Sequence, residues 1–335
     1  MTCRILITDY AWPNLDIEKE VLSAVGGEIM VAGEGSPSEI IALAPQADAI
    51  LTCWKDVPAE ALDIAPNCSV VSRYGIGLDN IPIGRATELG MLVTNVPDFC
   101  LEEVSDHVMA LLLATARQLL PLARTPERSG WTRETPRPIP RVSGQTLGLI
   151  GFGNIARALV PKALGFGLRV IAFTPRLRPE DAPDGVETTN DLGQMLAESD
   201  YVSIHCPLTE ETAHIIDDAA IGQMKRSALL INTSRGGVID EMALIGALQE
   251  GRIAGAALDV TDPEPPAAEN PLLSLENVIV TPHAAFYSVA ATAELARKAA
   301  ENVVTVLRGE VPKNLVNAEV LDKENCRLPN QTGVQ

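Results

Sequence analysis

The sequence predicts an α/β protein that contains two doubly wound parallel sheets. Short apolar runs alternate with helical segments before residue 98 and again after residue 145, and repeated βα units of this length form parallel sheets. One of these runs leads into a glycine turn, Gly151-Phe-Gly-Asn-Ile-Ala156. The length of 335 residues corresponds to about two domains of roughly 150 residues each.

The first part of the chain is expected to form a complete α/β unit. Apolar runs predict buried strands at 4–8, 49–53, 69–73 and 92–95. Helices are predicted between them at 15–24, 37–43, 58–64 and 82–89. Pro37, Pro58 and Pro82 fit first helical turns. Residues 73–80 form a glycine-bearing turn after a strand, and α/β proteins bind ligands at such turns.

Two segments lead from this unit to the next. Residues 101–120 carry apolar side chains at helical spacing, which predicts one long helix. Residues 124–143 hold four prolines, five arginines and Trp131. This composition is typical either of an arm at an interface or of a plain surface loop, and the sequence leaves that choice open.

The second unit begins with the apolar run at 146–150. Further strands are predicted at 169–173, 201–205, 228–232, 255–259 and 278–281. Helices are predicted at 154–164, 192–198, 219–224, 241–249 and 286–307. After residue 317 the chain is polar and without pattern, so residues 318–335 are expected to form a loose tail.

The glycine turn predicts a dinucleotide site. Gly151 allows the tight turn, and Gly153 lets a phosphate approach the backbone closely. Ala156 permits close packing of the following helix on the strand. Asn154 and Ile155 open that helix, whose N-terminus would face the pyrophosphate.

Composition and charge exclude several classes of function. The net charge is −18, which argues against nucleic acid and anionic membranes as partners. The longest apolar stretch is about half a membrane span, and the N-terminus lacks the layout of a signal peptide. The six cysteines show no paired spacing and the four histidines no ligand spacing. We therefore expect a reduced, cytoplasmic protein that binds no metal.

Seven segments of the chain stand in a characteristic order. They are RYGIGLDNI (73–81), NVPDFCLEEVSDH (95–107), GLIGFGNIAR (148–157), HCPLTEET (205–212), NTSRGGVID (232–240), ALDVTDPEP (257–265) and TPHAAFYS (281–288). In this order they resemble the D-isomer-specific 2-hydroxyacid dehydrogenases, and the last segment is most similar to the C-terminal-binding-protein-like branch. The resemblance implies a Rossmann cofactor domain at 99–287. This domain would be inserted into a flavodoxin-like substrate domain at 1–98 and 288–317, in a protein that pairs as a homodimer.

Three residues that follow strands of the second unit fit the reduction of a 2-keto acid. The guanidinium of Arg235 suits a carboxylate, which it would bind through two parallel hydrogen bonds. His283 would act as the general acid that protonates the new alkoxide. Glu264 would orient the histidine ring and favour its charged form. The resemblance assigns these same roles to Arg235, Glu264 and His283.

Other contacts follow from the turn at 73–80 and from the resemblance. The backbone N–H groups of Ile76 and Gly77 would donate to the substrate carboxylate, as other backbone anion sites do. The resemblance also implies contacts to the cofactor. These would come from Cys100, Cys206, Pro207, Thr212, Thr233, Ser234 and Asp259, the last accepting a hydrogen bond from the nicotinamide amide.

The end of the second strand of this unit bears on the choice of cofactor. Enzymes that use NAD place an acidic residue there to bind the ribose hydroxyls, whereas this chain has Thr174, followed by Arg176 and Arg178. A hydroxyl and two arginines would attract a 2′-phosphate. The sequence therefore favours NADP(H), with NAD(H) possible.

Three functions remain open from the sequence. The first is a reductase of a small anionic 2-keto acid such as glyoxylate or hydroxypyruvate. The second is a dinucleotide-sensing binding protein, because animal relatives in the same branch are corepressors. The third is a reductase of a phosphonate-bearing keto acid such as phosphonopyruvate, for which Lys55 and Arg73 would supply positive charge.

Overall fold

The computed structural model describes residues 2–129, 131, 137–174 and 182–329, without the side chains of 125–129. The chain divides into two compact units. One consists of Met1–Phe99 together with Ser288–Gln335, and the other is the continuous segment Cys100–Tyr287. Each unit is an α/β fold around its own parallel sheet, so the predicted fold class is confirmed.

The first unit is built on a five-stranded sheet in the order β2-β1-β3-β4-β5. Its strands are β1 Cys3–Ile7, β2 Gly27–Val31, β3 Ala49–Thr52, β4 Val70–Arg73 and β5 Leu92–Thr94. Its helices are α1 Asp16–Leu22, α2 Pro37–Leu43, α3 Ala59–Asp63, α4 Ile83–Glu88 and α11 Val289–Leu307. The order 2-1-3-4-5 is that of flavodoxin-like sheets, which bind ligands at the carboxyl ends of their strands.

The second unit is built on a seven-stranded sheet in the order β12-β11-β10-β9-β6-β7-β8. Its strands are β6 Thr146–Ile150, β7 Arg169–Phe173, β8 Val186–Thr189, β9 Tyr201–Ile204, β10 Leu229–Asn232, β11 Gly255–Leu258 and β12 Val278–Val280. Its helices are α5 Leu101–Ala116, α6 Leu119–Ser129, α7 Asn154–Gly165, α8 Leu192–Glu198, α9 Asp218–Gln223 and α10 Glu241–Gln249. Counted from β6, the order 3-2-1-4-5-6 is that of Rossmann domains, and β12 adds a seventh strand.

Strand burial explains which strands the sequence reveals. Every residue of β6, β9, β10 and β11 is buried, so each reads as a continuous apolar run. The two strands that sequence reasoning missed, β2 and β8, are edge strands with half-buried and exposed positions. An edge strand needs less apolar surface, so its sequence carries a weaker signal.

Side-chain caps define where several helices begin. In each case a serine or aspartate oxygen accepts the N–H of the residue three positions later, which satisfies a free amide of the first turn. These caps are Ser36, Asp191, Asp217, Asp240 and Ser288. The last of them corrects the predicted start of the terminal helix, because α11 begins at Val289 and not at residue 286.

The predicted single helix at 101–120 is wrong. Helix α5 ends at Ala116, and Gln118 takes a left-handed backbone conformation with φ of 51°, which an α-helix does not tolerate. Helix α6 then begins at Leu119, so the segment 124–143 starts as helix rather than loop. Residues 130 and 132–136 of that segment lie outside the described residues.

The expected loose tail is also corrected for residues 318–329. A short 3₁₀ helix covers Ala318–Asp322. The guanidinium of Arg327 donates to the carbonyls of Ala65 and Cys68 at 2.7 and 3.0 Å, and its backbone N–H donates to Gly90 at 2.7 Å. These contacts fasten the segment to the first unit. Residues 330–335 lie outside the described residues.

Two kinds of feature are absent from the described residues. Among the helices of 2–129, 137–174 and 182–329, none combines the length and apolar character needed to cross a membrane. Over the same ranges, no group of three His, Cys, Asp or Glu side chains is arranged to hold a metal ion.

Candidate active site

The glycine turn between β6 and α7 has the local geometry that the sequence predicts. Gly151 has φ of 90°, and a Cβ there would lie 2.9 Å from the backbone nitrogen of Cys206. A Cβ on Gly153 would have no atom within 4 Å, so the space beside the helix N-terminus is open. Ala156 is fully buried, as close packing of helix on strand requires. The turn thus offers free amides at the start of a 12-residue helix.

Arg235 lies in a tight loop after β10. The side chain of Asn232 organises this loop, since its amide donates to the carbonyl of Arg235 at 2.8 Å. One guanidinium nitrogen of Arg235 donates to the carbonyl of Ser234 at 2.8 Å. The loop packs closely on a neighbouring one, because a Cβ at Gly236 would collide with the carbonyl of Thr261.

Glu264 and His283 form a hydrogen-bonded pair. Oε2 of Glu264 lies 2.8 Å from Nδ1 of His283, and Oε1 accepts the backbone N–H of Thr261 at 3.2 Å. His283 has φ of 51° and donates its own N–H to the carbonyl of Asp259 at 2.8 Å. Because a carboxylate only accepts, Nδ1 carries the proton of this bond and Nε2 is the ring atom left for proton transfer.

The electrostatics of Glu264 connect it to both other predicted catalytic residues. Burial is the largest single effect and raises the pKa of Glu264, whereas the hydrogen bond and the charge of His283 lower it. The Thr261 N–H and the charge of Arg235 lower it further. The net pKa of Glu264 is therefore below its ordinary value, and the group is an anion at neutral pH. All three side chains thus belong to one electrostatic group in the second unit.

Asp259 supports the turn that carries His283. Its carboxylate is 1% exposed. Oδ1 accepts the hydroxyl of Thr281 at 2.5 Å and the N–H of Ala284 at 2.9 Å, while Oδ2 accepts the N–H of Ala285 at 2.9 Å. These bonds leave one lone pair on Oδ2, so acceptance from a nicotinamide amide stays a prediction.

Sequence reasoning missed two residues of this network. Nε2 of His107, on α5, lies 3.1 Å from the hydroxyl of Thr281 and 3.6 Å from Asp259. His107 lies within residues 101–120, for which the sequence predicts only a helix. The only sequence signal was the position of Thr281, two residues before His283, because the partner on α5 is 174 residues away along the chain.

The hydroxyl residues expected to bind the cofactor after β9 and β10 differ in whether protein groups already satisfy their hydrogen bonds. Thr212 donates to the carbonyl of Pro207 at 2.6 Å and accepts the N–H of Thr209 at 2.8 Å, so it stabilises its own loop. The hydroxyl of Ser234 donates to the carbonyl of Cys206. By contrast, the hydroxyl oxygen of Thr233 is buried and has no hydrogen-bond partner among the residues that the structure describes. A buried hydroxyl without a partner costs free energy unless a ligand satisfies it.

Four of the predicted cofactor-site residues lie after β7 or at the start of α5, and the structure describes two of them, Thr174 and Cys100. Thr174 follows β7, is half-buried, and donates its N–H to Thr189 at 3.2 Å. Arg176 and Arg178 lie outside the described residues. Cys100 is buried at the N-terminus of α5, where its carbonyl accepts the N–H of Val104 at 3.0 Å.

His205 is held neutral at the end of β9. Burial lowers the pKa of the imidazole to about 4. Its Nε2 lies 2.9 Å from the hydroxyl of Ser203. A ring that stays uncharged at neutral pH does not act as a general acid there.

The predicted carboxylate turn belongs to the first unit. The amides of Ile76 and Gly77 are half-buried and donate no hydrogen bond to any residue within the described ranges. The carbonyl of Ile76 accepts from Asn95 at 2.8 Å. Arg73 shapes the turn from within, because its guanidinium donates to Asn80 at 3.1 Å and to the carbonyl of Tyr74. This arginine is therefore committed to the loop, which weakens the case for a doubly charged substrate.

The predicted site residues of the second unit follow the carboxyl ends of its strands. A separate cavity of about 620 Å³ lies at the amino ends, lined among others by Tyr201, Leu229 and Asn277. In open α/β sheets ligands bind at the carboxyl ends, so the edge that carries the Glu264–His283 pair is the candidate active site.

The second unit matches a known family of domains. The model of the D-isomer specific 2-hydroxyacid dehydrogenase NAD binding domain matches residues 109–285. The chain belongs to the D-isomer-specific 2-hydroxyacid dehydrogenase family. Members of this family are oxidoreductases that act on CH–OH donors, so the enzyme class is established together with the family.

Similar proteins cover nearly the whole chain. A glyoxylate reductase of Korarchaeum cryptofilum is 42% identical over 86% of this chain and 89% of its own length. An NADPH-dependent glyoxylate/hydroxypyruvate reductase of Sinorhizobium meliloti, solved with NADP and malonate, has a TM-score of 0.83 at 28% identity, covering 98% of this chain and 99% of that one. A D-lactate dehydrogenase of Aquifex aeolicus, solved with NAD and lactic acid, has a TM-score of 0.82 at 26% identity, covering 93% and 98%.

These comparisons establish the type of reaction and the class of cofactor. It is a 2-keto acid reductase that uses a nicotinamide cofactor. The finer assignment to the C-terminal-binding-protein-like branch stays a prediction, since none of the relatives described above carries that name.

Proposed function

We propose that this dehydrogenase reduces a small 2-keto acid, glyoxylate or hydroxypyruvate, to its D-2-hydroxy acid with NADPH as the preferred cofactor. The names of the Korarchaeum cryptofilum and Sinorhizobium meliloti relatives support this class of substrate. The observation that carries the proposal is the 2.8 Å pair of Glu264 and His283 within the electrostatic reach of Arg235.

The three side chains divide the work of the reaction. Arg235 binds the substrate carboxylate and polarises the adjacent carbonyl, because a guanidinium offers parallel donors to planar oxygen pairs. His283 donates a proton from Nε2 to the oxygen that becomes the alcohol. Glu264 accepts from Nδ1, orients the ring and stabilises its charged form. The reduced nicotinamide supplies the hydride when it is bound.

Features of the chain fit a bound dinucleotide. The open space at Gly153 and the start of α7 suit a pyrophosphate. The buried hydroxyl of Thr233, without a partner in the described part of the chain, is available to a group of the cofactor. Thr174 stands where an acidic residue would repel a 2′-phosphate, and Arg176 follows it by two positions; both support NADP(H).

The turn of the first unit supports a monocarboxylate substrate. The amides of Ile76 and Gly77 are two adjacent donors that no described protein group uses. Adjacent backbone amides form favourable sites for anions. We propose that these two amides donate to the carboxylate of the substrate.

A panel of keto acids assayed with NADPH and NADH at the nicotinamide absorbance band tests the proposal. We expect turnover of glyoxylate or hydroxypyruvate, with a higher kcat/KM for NADPH than for NADH. Faster turnover of phosphonopyruvate than of either compound would contradict the proposed substrate. Tight dinucleotide binding without turnover of any keto acid would favour a binding protein instead.

We also propose that the protein is a homodimer of the cytoplasm. Leu119, Leu120 and Trp131 are 57%, 40% and 89% exposed, and exposed large apolar side chains are the kind of residue that subunit interfaces bury. All six cysteines are free thiols, as a reducing compartment favours. Light scattering should give twice the chain mass, and a monomer at micromolar concentration would refute the dimer.

A further inference from the structure

A chain of hydrogen bonds runs from helix α5 to the turn that carries His283. Nε2 of His107 lies 3.1 Å from the hydroxyl oxygen of Thr281. That hydroxyl lies 2.5 Å from Oδ1 of Asp259, and Nε2 of His107 is 3.6 Å from the same carboxylate oxygen. We call the three side chains of His107, Thr281 and Asp259 the relay.

The direction of each bond in the relay follows from the groups that make it. A carboxylate only accepts at neutral pH, so Thr281 gives its single hydroxyl proton to Asp259. The oxygen of Thr281 is then left as an acceptor. Nε2 of His107 must therefore carry a proton and donate it, whichever state Nδ1 has.

Asp259 in turn binds the backbone of the turn that carries His283. Its carboxylate accepts the N–H groups of Ala284 and Ala285, each at 2.9 Å, and its carbonyl accepts the N–H of His283 at 2.8 Å. Asp259 thus holds three consecutive amides. His283 has φ of 51°, a backbone conformation that is uncommon for residues other than glycine and that these hydrogen bonds help to hold.

We propose that His107 is a positioning residue for the reduction. By donating to Thr281 it fixes the carboxylate of Asp259, which in turn holds the backbone of His283 so that Nδ1 stays on Glu264. The proposal rests on the proposed role of His283. A purely structural role would need only the bulk of His107, whereas the relay needs its donor.

Two substitutions of His107 distinguish the effect of its hydrogen-bond donor from the effect of its side-chain volume. His107→Leu removes the donor and keeps an apolar side chain, while His107→Gln keeps an N–H near the position of Nε2. We expect His107→Leu to lower kcat about ten-fold, as for the loss of one hydrogen bond to a charged network. The KM of the cofactor should change less than kcat does, and His107→Gln should recover most of kcat.

Leu112→Ala provides the matched control on the same helix. Leu112 is fully buried in α5 and belongs to its apolar core, so its truncation lowers the thermal midpoint without touching the relay. We expect kcat near that of the parent for this variant. Equal losses of kcat in Leu112→Ala and His107→Leu, at equal loss of thermal midpoint, would overturn the proposal.

Thr281→Val tests whether His107 acts through Thr281. If the relay is one unit, the double variant His107→Leu/Thr281→Val should be no slower than Thr281→Val alone. Additive losses of kcat would mean that His107 acts by another route.

A measurement without substrate tests the role of His107 independently of the proposed substrate. The titration of the His283 Cε1 proton can be followed by NMR in the cofactor-free protein. We expect its midpoint to move to lower pH in His107→Leu, because a loosened ring loses contact with the Glu264 anion, and to return in His107→Gln. An unchanged midpoint in His107→Leu would refute the relay even if keto acids are reduced, and a shifted one would support it even if they are not.

Discussion

Glu264 and His283 are 19 residues apart in the chain, and their side chains meet at 2.8 Å. The bond is possible because β11 and β12 are parallel neighbours whose carboxyl ends lie at the same edge of the sheet. Glu264 extends from the loop after β11 and His283 from the turn after β12. The pairing of two neighbouring strands therefore brings together the two side chains that we propose as the general acid and its orienting carboxylate.

Glu264→Gln should narrow the pH range of keto acid reduction. Burial raises the pKa of the wild-type carboxyl, but the hydrogen bond to His283, the charges of His283 and Arg235 and the Thr261 N–H together lower it below its ordinary value. The carboxyl is therefore an anion throughout the neutral range. Glutamine keeps the shape but removes the charge that stabilises a protonated ring. We expect the basic limb of the kcat/KM profile to move about one pH unit lower. A limb at the wild-type position would show that Glu264 has no electrostatic role.

Arg235→Lys should lower kcat/KM about 10- to 100-fold. This is the effect of losing a charge-assisted hydrogen bond of roughly 1.5–3 kcal/mol. Lysine keeps the charge but cannot present two parallel donors. Steady-state kinetics on the preferred keto acid measures the loss, and cofactor affinity measured by fluorescence titration serves as the control. Parent activity in this variant would mean that the carboxylate binds elsewhere.

Thr174→Asp should reverse the cofactor preference. A carboxylate at this position repels a 2′-phosphate and accepts hydrogen bonds from ribose hydroxyls. We expect the ratio of kcat/KM for NADPH over NADH to fall at least about ten-fold, as for one repulsive pair near 1.4 kcal/mol. Thr174→Asn, similar in size but neutral, is the matched control and should change the ratio far less.

Gly153→Ala and Gly151→Ala should separate cofactor binding from folding. A Cβ on Gly153 meets no protein atom within 4 Å, so this variant should keep its thermal midpoint and yet bind NADPH at least about ten-fold more weakly, since the methyl group takes the place of a phosphate. Gly151→Ala puts a Cβ at φ of 90° and 2.9 Å from Cys206, which should cost about 1–3 kcal/mol of stability. Unchanged affinity in Gly153→Ala would exclude the pyrophosphate from this turn.

His205 should make the protein sensitive to acid. Burial lowers its pKa from 6.5 to about 4 in the folded state, so the unfolded chain takes up a proton first as the pH falls. The stability from the neutral ring is complete above pH 6.5 and is lost as the pH falls toward 4, by an amount on the order of 3 kcal/mol. Urea unfolding should show a flatter pH dependence for His205→Gln. The exposed His214, replaced by Asn, is the control and should behave as the parent does.

The sequence by itself determined the features that are local along the chain. Buried strands such as β6 and β10 are continuous apolar runs because both faces of a parallel sheet are covered. The glycine turn at Gly151 is encoded in place, because only glycine accepts that backbone conformation readily. The ordered motifs indicated the family, and with it the three candidate catalytic residues.

Tertiary structure decided the features that depend on distant partners. The edge strands β2 and β8 form because a neighbouring strand supplies hydrogen bonds, not because their own sequences are strongly apolar. The segment after residue 317 is held by Arg327, whose guanidinium donates to the carbonyls of Ala65 and Cys68, more than 250 residues earlier in the chain. The partner of Thr281 lies on α5, 174 residues before it. A side chain's own residue type does not encode which donor the fold will bring to it, so such contacts follow only from the packing of whole elements.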